Sequence, residues 1–387
     1  MKKLMITTAI ASSLLMSSAI AQTTITGEAR VNYKAIEAKK GAGVTAAFTT
    51  AANTSYATLV MGNANSTALT APTQNAVATA ANTGTADTMY GFGAEQQINI
   101  QTKGKLNVGG LDYAAGFSIE NDGDQVSTLF NENTYFDLTN ASSGTTLSIS
   151  RDHIQRSDSD RSAAVLVGFS PNDLSQATLA NTTLFQQNIG ALPGQVWGAA
   201  ILQKTPVGTF SYNFAPENAG PAVSEDVNQN TKGASEYGFV GDLGVKGLNA
   251  YYFKNQDIGT VTTKTVKAEG KSFGANYNFG QISVGYADKK YNPSSTTALT
   301  LETKEKHYGL AYAVNKDLTI GALYAKANQT GTGIASIQTG TQKVKAIQVG
   351  YALGPVDLAA SYAKNTDMLG VSGNDTDAAM VRLIGKF

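Results

Sequence analysis

This sequence predicts an all-β protein, a transmembrane antiparallel β-barrel of about sixteen strands with short turns at one end and long loops at the other. Three observations carry the prediction: an export signal at the N-terminus, a composition too poor in charge for a soluble surface yet too polar for membrane helices, and a hydrophobic period of two that recurs to the last residue. Of the 387 residues 42% are hydrophobic and only 15% charged, where soluble domains average about 25% charged. Cysteine is absent and histidine occurs twice. That excludes disulfides, thiolate catalysis and Cys-ligated metals and leaves little for a His-ligated one, so no cofactor or metal is expected. Lys and Arg together number 29, as do Asp and Glu, so no basic excess points to nucleic acid.

Lys2 and Lys3 precede an apolar stretch from Leu4 to Ala19, and Ala19-Ile20-Ala21 has the small-x-small pattern of a signal-peptidase site. Cleavage before Gln22 is expected, which makes residues 1–21 a signal peptide and 22–387 the exported barrel domain. A membrane anchor is the competing reading, but Ser and Thr dilute the segment and no stop-transfer flank follows. Farther on, the longest apolar runs, Ala163 to Phe169 and Val196 to Leu202, are seven residues each, well short of the ~18 that a membrane helix needs.

From about Ser235 onward the apolar residues alternate with small or polar ones. Ile282, Val284 and Tyr286 stand against Ser283, Gly285, Ala287 and Lys289; Tyr308, Leu310, Tyr312 and Val314 stand against His307, Gly309, Ala311 and Ala313. Each such segment has the length of a tilted membrane-crossing strand. The pattern predicts strands at 24–34, 89–106, 112–121, 132–139, 145–151, 196–203, 207–214, 236–243, 248–254, 271–279, 281–289, 306–314, 318–326, 343–353, 356–364 and 378–387. Gly280, Asn315-Lys316-Asp317 and Gly354-Pro355 make tight turns, whereas 255–270, 290–305, 327–342 and 365–377 are long polar loops. An even strand number lets the last strand close on the first, and a closed sheet leaves no backbone group unpaired in lipid.

On the outward rows Tyr33, Tyr90, Phe92, Tyr252, Phe273, Tyr286, Tyr308, Tyr324 and Tyr362 fall at loop ends, and Tyr113, Phe279 and Phe387 at turn ends. Two aromatic girdles at the membrane interfaces account for this clustering, where strand propensity of Tyr and Phe is the plainer alternative. Gln96 breaks the outward pattern. The inward rows hold Gly, Ala, Ser, Thr, Asn and scattered charges, a wetted surface, and sixteen strands make a barrel wide enough for an aqueous channel.

At this point the chain resembles the Gram-negative general porins. The first exported strand, Thr24 to Tyr33, and the last, Ala379 to Phe387 with its terminal phenylalanine, carry the likeness. The resemblance implies passive diffusion of small hydrophilic solutes and ions, a homotrimer in outer-membrane lipid, and Phe387 as a signal for the barrel assembly machinery. It also implies a third loop, here 152–195, folded inward as a constriction. That loop lacks the Pro-Glu-Phe-Gly-Gly motif of the enterobacterial members, and the Ala/Thr/Asn-rich first loop, 37–88, is unusually long.

Strand alternation turns Glu28, Arg30, Lys34, Arg382 and Lys386 inward. Arg30 and Arg382, near mid-strand on the first and last strands, are the candidate basic wall of the constriction, where guanidinium charge raises anion occupancy. The structural alternative pairs Arg30 with Glu28 or Glu95. Asp152, Asp158, Asp160 and Asp173 are the candidate acidic loop facing that wall, although Arg151, Arg156 and Arg161 interleave with them and offer self-neutralisation instead. Gly270-Lys271-Ser272-Phe273-Gly274 matches the nucleophile-elbow spacing but opens a strand. Glu120 to Asp124 has oxygen ligands for Ca²⁺, with a solvated acidic turn as the plainer reading. His153 and His307 are too few for a proton relay, and His307 reads as wall lining. Two other functions stay open: a barrel enzyme such as a phospholipase, which needs an outward Ser–His pair, and a surface structural or adhesive protein whose barrel only anchors its loops.

Overall fold

The computed structural model describes residues 22–39, 88–106, 109–121, 130–151, 162–175, 183–185, 197–215, 234–257, 268–292, 300–332 and 339–387. Sixteen strands are present: β1 (Gln22–Ala38), β2 (Thr88–Lys105), β3 (Leu111–Asn121), β4 (Phe130–Asn140), β5 (Thr145–Arg151), β6 (Trp197–Thr205), β7 (Gly208–Ala215), β8 (Ala234–Gly241), β9 (Leu248–Asp257), β10 (Glu269–Phe279), β11 (Ile282–Asn292), β12 (Thr300–Ala313), β13 (Leu318–Thr332), β14 (Gly340–Ala352), β15 (Val356–Thr366) and β16 (Thr376–Lys386). Each pairs antiparallel with its sequence neighbours, and β1 pairs with β16 to close the barrel. The sixteen-strand expectation holds, including the strands at 145–151, 196–203 and 207–214, which are β5 to β7. Residues 1–21, where a signal peptide is expected, most of the first loop (40–87) and Asp122 to Asp124 lie outside the described residues.

Closure is fixed by register. Asn32 faces Arg382, Lys34 faces Met380 and Glu28 faces Lys386. At the seam, Gly27 and Phe387 exchange both backbone hydrogen bonds, at 2.8 and 3.0 Å. Because a slip of one residue would turn every lipid-facing side chain into the lumen, this register is strongly specified.

The outward rows carry the lipid face: Ile25, Val31, Ile98, Ile149, Ile201, Leu310, Ile347 and Leu383 are all exposed on the isolated chain. Near the loop ends the aromatic belt holds a run of four rings in contact and a separate pair. Phe273 meets Tyr286 at 6.1 Å, Tyr286 meets Tyr308 at 5.3 Å, Tyr308 stacks on Tyr324 at 5.9 Å, and Tyr33 meets Phe92 at 5.0 Å. At the turn ends Tyr277 meets Phe279 at 5.6 Å and Phe210 meets Phe239 at 4.9 Å.

The inward rows depart from the expected uniformly wetted wall. Toward the loop ends of β1 and β13 to β16 they bury Ile36, Leu323, Val344, Ala346 and Met380, and a second patch buries Tyr251, Phe253 and Ala287 on β9 and β11. These residues are dry because a loop lies on them.

Candidate functional site

The loop between β5 and β6 enters the barrel. Its residues 162–175 and 183–185 contribute Ala164, Phe169, Leu174, Leu184 and Phe185 to the apolar cluster on β13 to β16 and β1, while Ala163 joins the patch on β9 and β11. The wall is thinned to receive it. A Cβ on Gly285 would stand 2.0 Å from the Ala163 carbonyl oxygen, and one on Gly309 2.0 Å from that of Ala164. Gly285 and Gly309 face each other across β11 and β12, so the two glycines form one notch through which the loop backbone passes.

Amides on the wall satisfy the loop's backbone, as buried peptide groups require. Gln348 accepts from the Phe169 N–H (3.0 Å) and donates to its carbonyl (3.1 Å). Gln342 accepts from the Leu184 N–H (2.9 Å) and donates to the Ser175 carbonyl (2.9 Å), and Asn365 donates to the Leu174 carbonyl (3.0 Å). Within the loop a single helical turn, α1 (Pro171–Leu174), is started by a reciprocal capping box. Ser170 Oγ accepts from the Asp173 N–H, and the Asp173 carboxylate accepts from the Ser170 N–H.

The basic wall meets the edge of this loop. Arg382 Nε donates to Asn32 (2.7 Å), its Nη1 donates to the Gly168 carbonyl (3.1 Å), its Nη2 stands 3.5 Å from Asp173, and the guanidinium covers the Phe169 ring at 4.7 Å. Buried Lys34 donates to the Asp173 carbonyl oxygen at 2.8 Å. Of the four acids expected on the loop, Asp173 faces the wall; Asp152, Asp158 and Asp160 lie outside the described residues. Arg30 sits diagonally across the β1–β16 seam from Arg382 and is held between Glu28 (2.6 Å) and Glu95 (2.7 Å). Its single charge is therefore answered by two carboxylates. Lys386, toward the turn end, pairs with Asp357 at 2.7 Å and faces Glu28.

One constellation was not read from the sequence. Ser162 Oγ lies 2.9 Å from His307 Nδ1, and His307 Nε2 lies 2.9 Å from Glu305. A hydroxyl, an imidazole and a carboxylate in a row have the order of a nucleophile, its base and an orienting acid. Yet His307 is 1% exposed and the Phe185 ring closes over it at 5.7 Å. A carbonyl substrate has no approach, and the chain of bonds ties the start of the loop to β12. The traces in the sequence were the spacing Glu305-x-His307, which puts both on one face, and Ser170-x-x-Asp173, the form of a capping box.

No family model matches the chain, and no curated protein matches it either. Solved structures do. The anion-selective porin from Comamonas acidovorans superposes with a TM-score of 0.60 at 12% identity, covering 95% of this chain and 100% of that one. OmpF of Salmonella typhi, solved with daunomycin, gives 0.61 at 11% identity over 94% and 97%. OmpT of Vibrio cholerae, an outer membrane protein, gives 0.59 at 11% identity over 96% and 99%. The chain thus has the fold of the Gram-negative porins, a closed sixteen-stranded outer-membrane barrel.

Proposed function

We propose that this protein is a passive channel of the Gram-negative outer membrane, admitting small hydrophilic solutes and ions. The observation that supports it most is the loop built into the lumen. Residues 162–175 and 183–185 are fixed against one side of a barrel whose strand number gives an aqueous interior. They narrow the lumen, and Arg382, Lys34 and Asp173 are the charges at the docked edge. An anchor for surface loops has no use for so many buried wall-to-loop hydrogen bonds, and the closed-off Ser162–His307–Glu305 row favours a channel over an enzyme.

In this reading Glu28, Arg30, Glu95 and Lys386 line the wall below the constriction, residues 1–21 are removed on export, and Phe387 directs barrel assembly. A homotrimer belongs to the same reading. Gln96 is exposed on the outward face of β2 between Ala29 and Asn121, and no described residue hydrogen-bonds its amide. Lipid cannot satisfy an amide at that height, whereas a subunit contact can. Swelling of liposomes containing the purified protein in isotonic sugars of increasing size tests the proposal. Entry that falls off with solute size supports it, and liposomes that exclude even the smallest sugar contradict it.

A further inference from the structure

The lipid-facing side of β11 to β15 changes character above the tyrosine belt. Toward the loop ends its outward rows hold seven lysines, Lys290, Lys304, Lys306, Lys326, Lys343, Lys345 and Lys364, against two carboxylates, Asp288 and Glu302. The chain as a whole is balanced, so the excess is local. Both carboxylates are taken: Glu302 lies between Lys290 (2.6 Å) and Lys304 (2.5 Å), and Asp288 is 3.6 Å from Lys306. On β16, Asp377 faces Lys364 but is bonded by Lys39 (2.9 Å) and by the Tyr362 hydroxyl (2.7 Å). Lys326, Lys343 and Lys345 have no carboxylate partner among the described residues.

These lysines stand directly opposite one another. Lys306 faces Lys326, Lys326 faces Lys343, and Lys345 faces Lys364 on adjacent strands. Like charges in register are destabilising in a sheet, and here they are ranked across four consecutive strands. Immediately beneath them, on the same outward face, is a groove of about 540 Å³. Tyr308, Tyr324 and Tyr362 form its sides, Leu310, Ala322 and Ile347 its floor, and Lys345 and Lys364 its upper rim. The groove exists because Ala322 is small where Leu310 and Ile347, its neighbours in register, are large.

We infer that this face is a binding site for a phosphorylated lipid of the outer leaflet, its polyanionic headgroup bridging Lys326, Lys343, Lys345 and Lys364 and one acyl chain lying in the groove at Ala322. The charge sequence and the apolar slot have the order of such a lipid, headgroup above chain, and the anion relieves the lysine repulsion. Each lysine near an anionic lipid surface contributes roughly fivefold in affinity. The inference rests on the barrel standing in the outer membrane with its long loops outward, and is independent of whether it conducts.

The test is native mass spectrometry of the detergent-purified full chain with three probes: bis-phosphorylated lipid A, the same lipid stripped of both phosphates, and inorganic phosphate. Bis-phosphorylated lipid A should be retained most strongly. Replacing Lys343→Gln with Lys345→Gln should weaken it about 25-fold, and Ala322→Leu, which fills the groove and leaves every charge, should weaken it as well. Equal retention of the phosphate-free lipid, no response to either variant, or binding of inorganic phosphate as tight as that of the lipid would overturn the assignment. So would a disulfide dimer formed by Lys345→Cys at the yield of a native contact, which would make the face an interface between copies. Bilayer conductance of the same variants should be unchanged, so that a silent channel with intact lipid retention counts against the channel alone.

Discussion

Replacing Gly309 tests how the loop is held. In Gly309→Ala the added Cβ would sit 2.0 Å from the Ala164 oxygen, where ordinary contact begins at 3.4 Å. The loop backbone must move by about 1.4 Å at that point. The neighbouring bonds, Ser162 to His307 at 2.9 Å and Phe169 to Gln348 at 3.0 and 3.1 Å, stop being hydrogen bonds beyond about 3.5 Å, so a shift of that size breaks two or three of them. At about 1 kcal/mol each, docking weakens by roughly 2–3 kcal/mol, some 30- to 150-fold in the docked-to-undocked ratio. The barrel ladder is untouched. Single-channel recording should therefore show a larger or strongly fluctuating conductance with unchanged heat-modifiable mobility on gels. A Gly309→Ala channel with native conductance and native noise would refute the notch and with it the role of residues 162–175 as the constriction.

Other expected outcomes concern charge and assembly. Arg30→Ala leaves Glu28 and Glu95 uncompensated on a partly screened wall, so the permeability ratio should move toward cations by about two- to fivefold, read from the reversal potential in a salt gradient; Glu95→Gln should move it toward anions. Arg382→Ala removes a cation and its contacts with Gly168, Asn32 and the Phe169 ring. It should shift selectivity toward cations and raise conductance together, where Arg30→Ala changes selectivity alone. Phe387→Ser should reduce the folded barrel in outer-membrane fractions several-fold while the chain still refolds in detergent, checked by fractionation beside in-vitro refolding.

The strands were legible because each has one lipid face and one lumen face, and a period of two prints that asymmetry directly on residues such as 308–314. The loop's docking was not. Ala163 to Phe169 reads as an apolar run too short to cross a membrane, and nothing local says that it packs on a barrel wall. Its receptor consists of Gly285, Gly309, Gln342, Gln348 and Asn365, residues on four strands that become neighbours only once register is fixed. Arg30 shows the intermediate case. Its partners Glu28 and Glu95 were visible as inward residues, but that both engage it together follows from the pairing of Arg30 with Glu95 across β1 and β2. The lysine face is hidden in the sequence for a related reason, since lysines toward the ends of five separate strands look like ordinary loop flanks until they stand side by side.

Whether the lumen conducts is read directly from the current carried by the purified protein in a planar bilayer. A water-filled lumen gives discrete, long-lived, ohmic steps whose size scales with bulk salt conductivity. A bilayer that stays silent with folded protein inserted would contradict it.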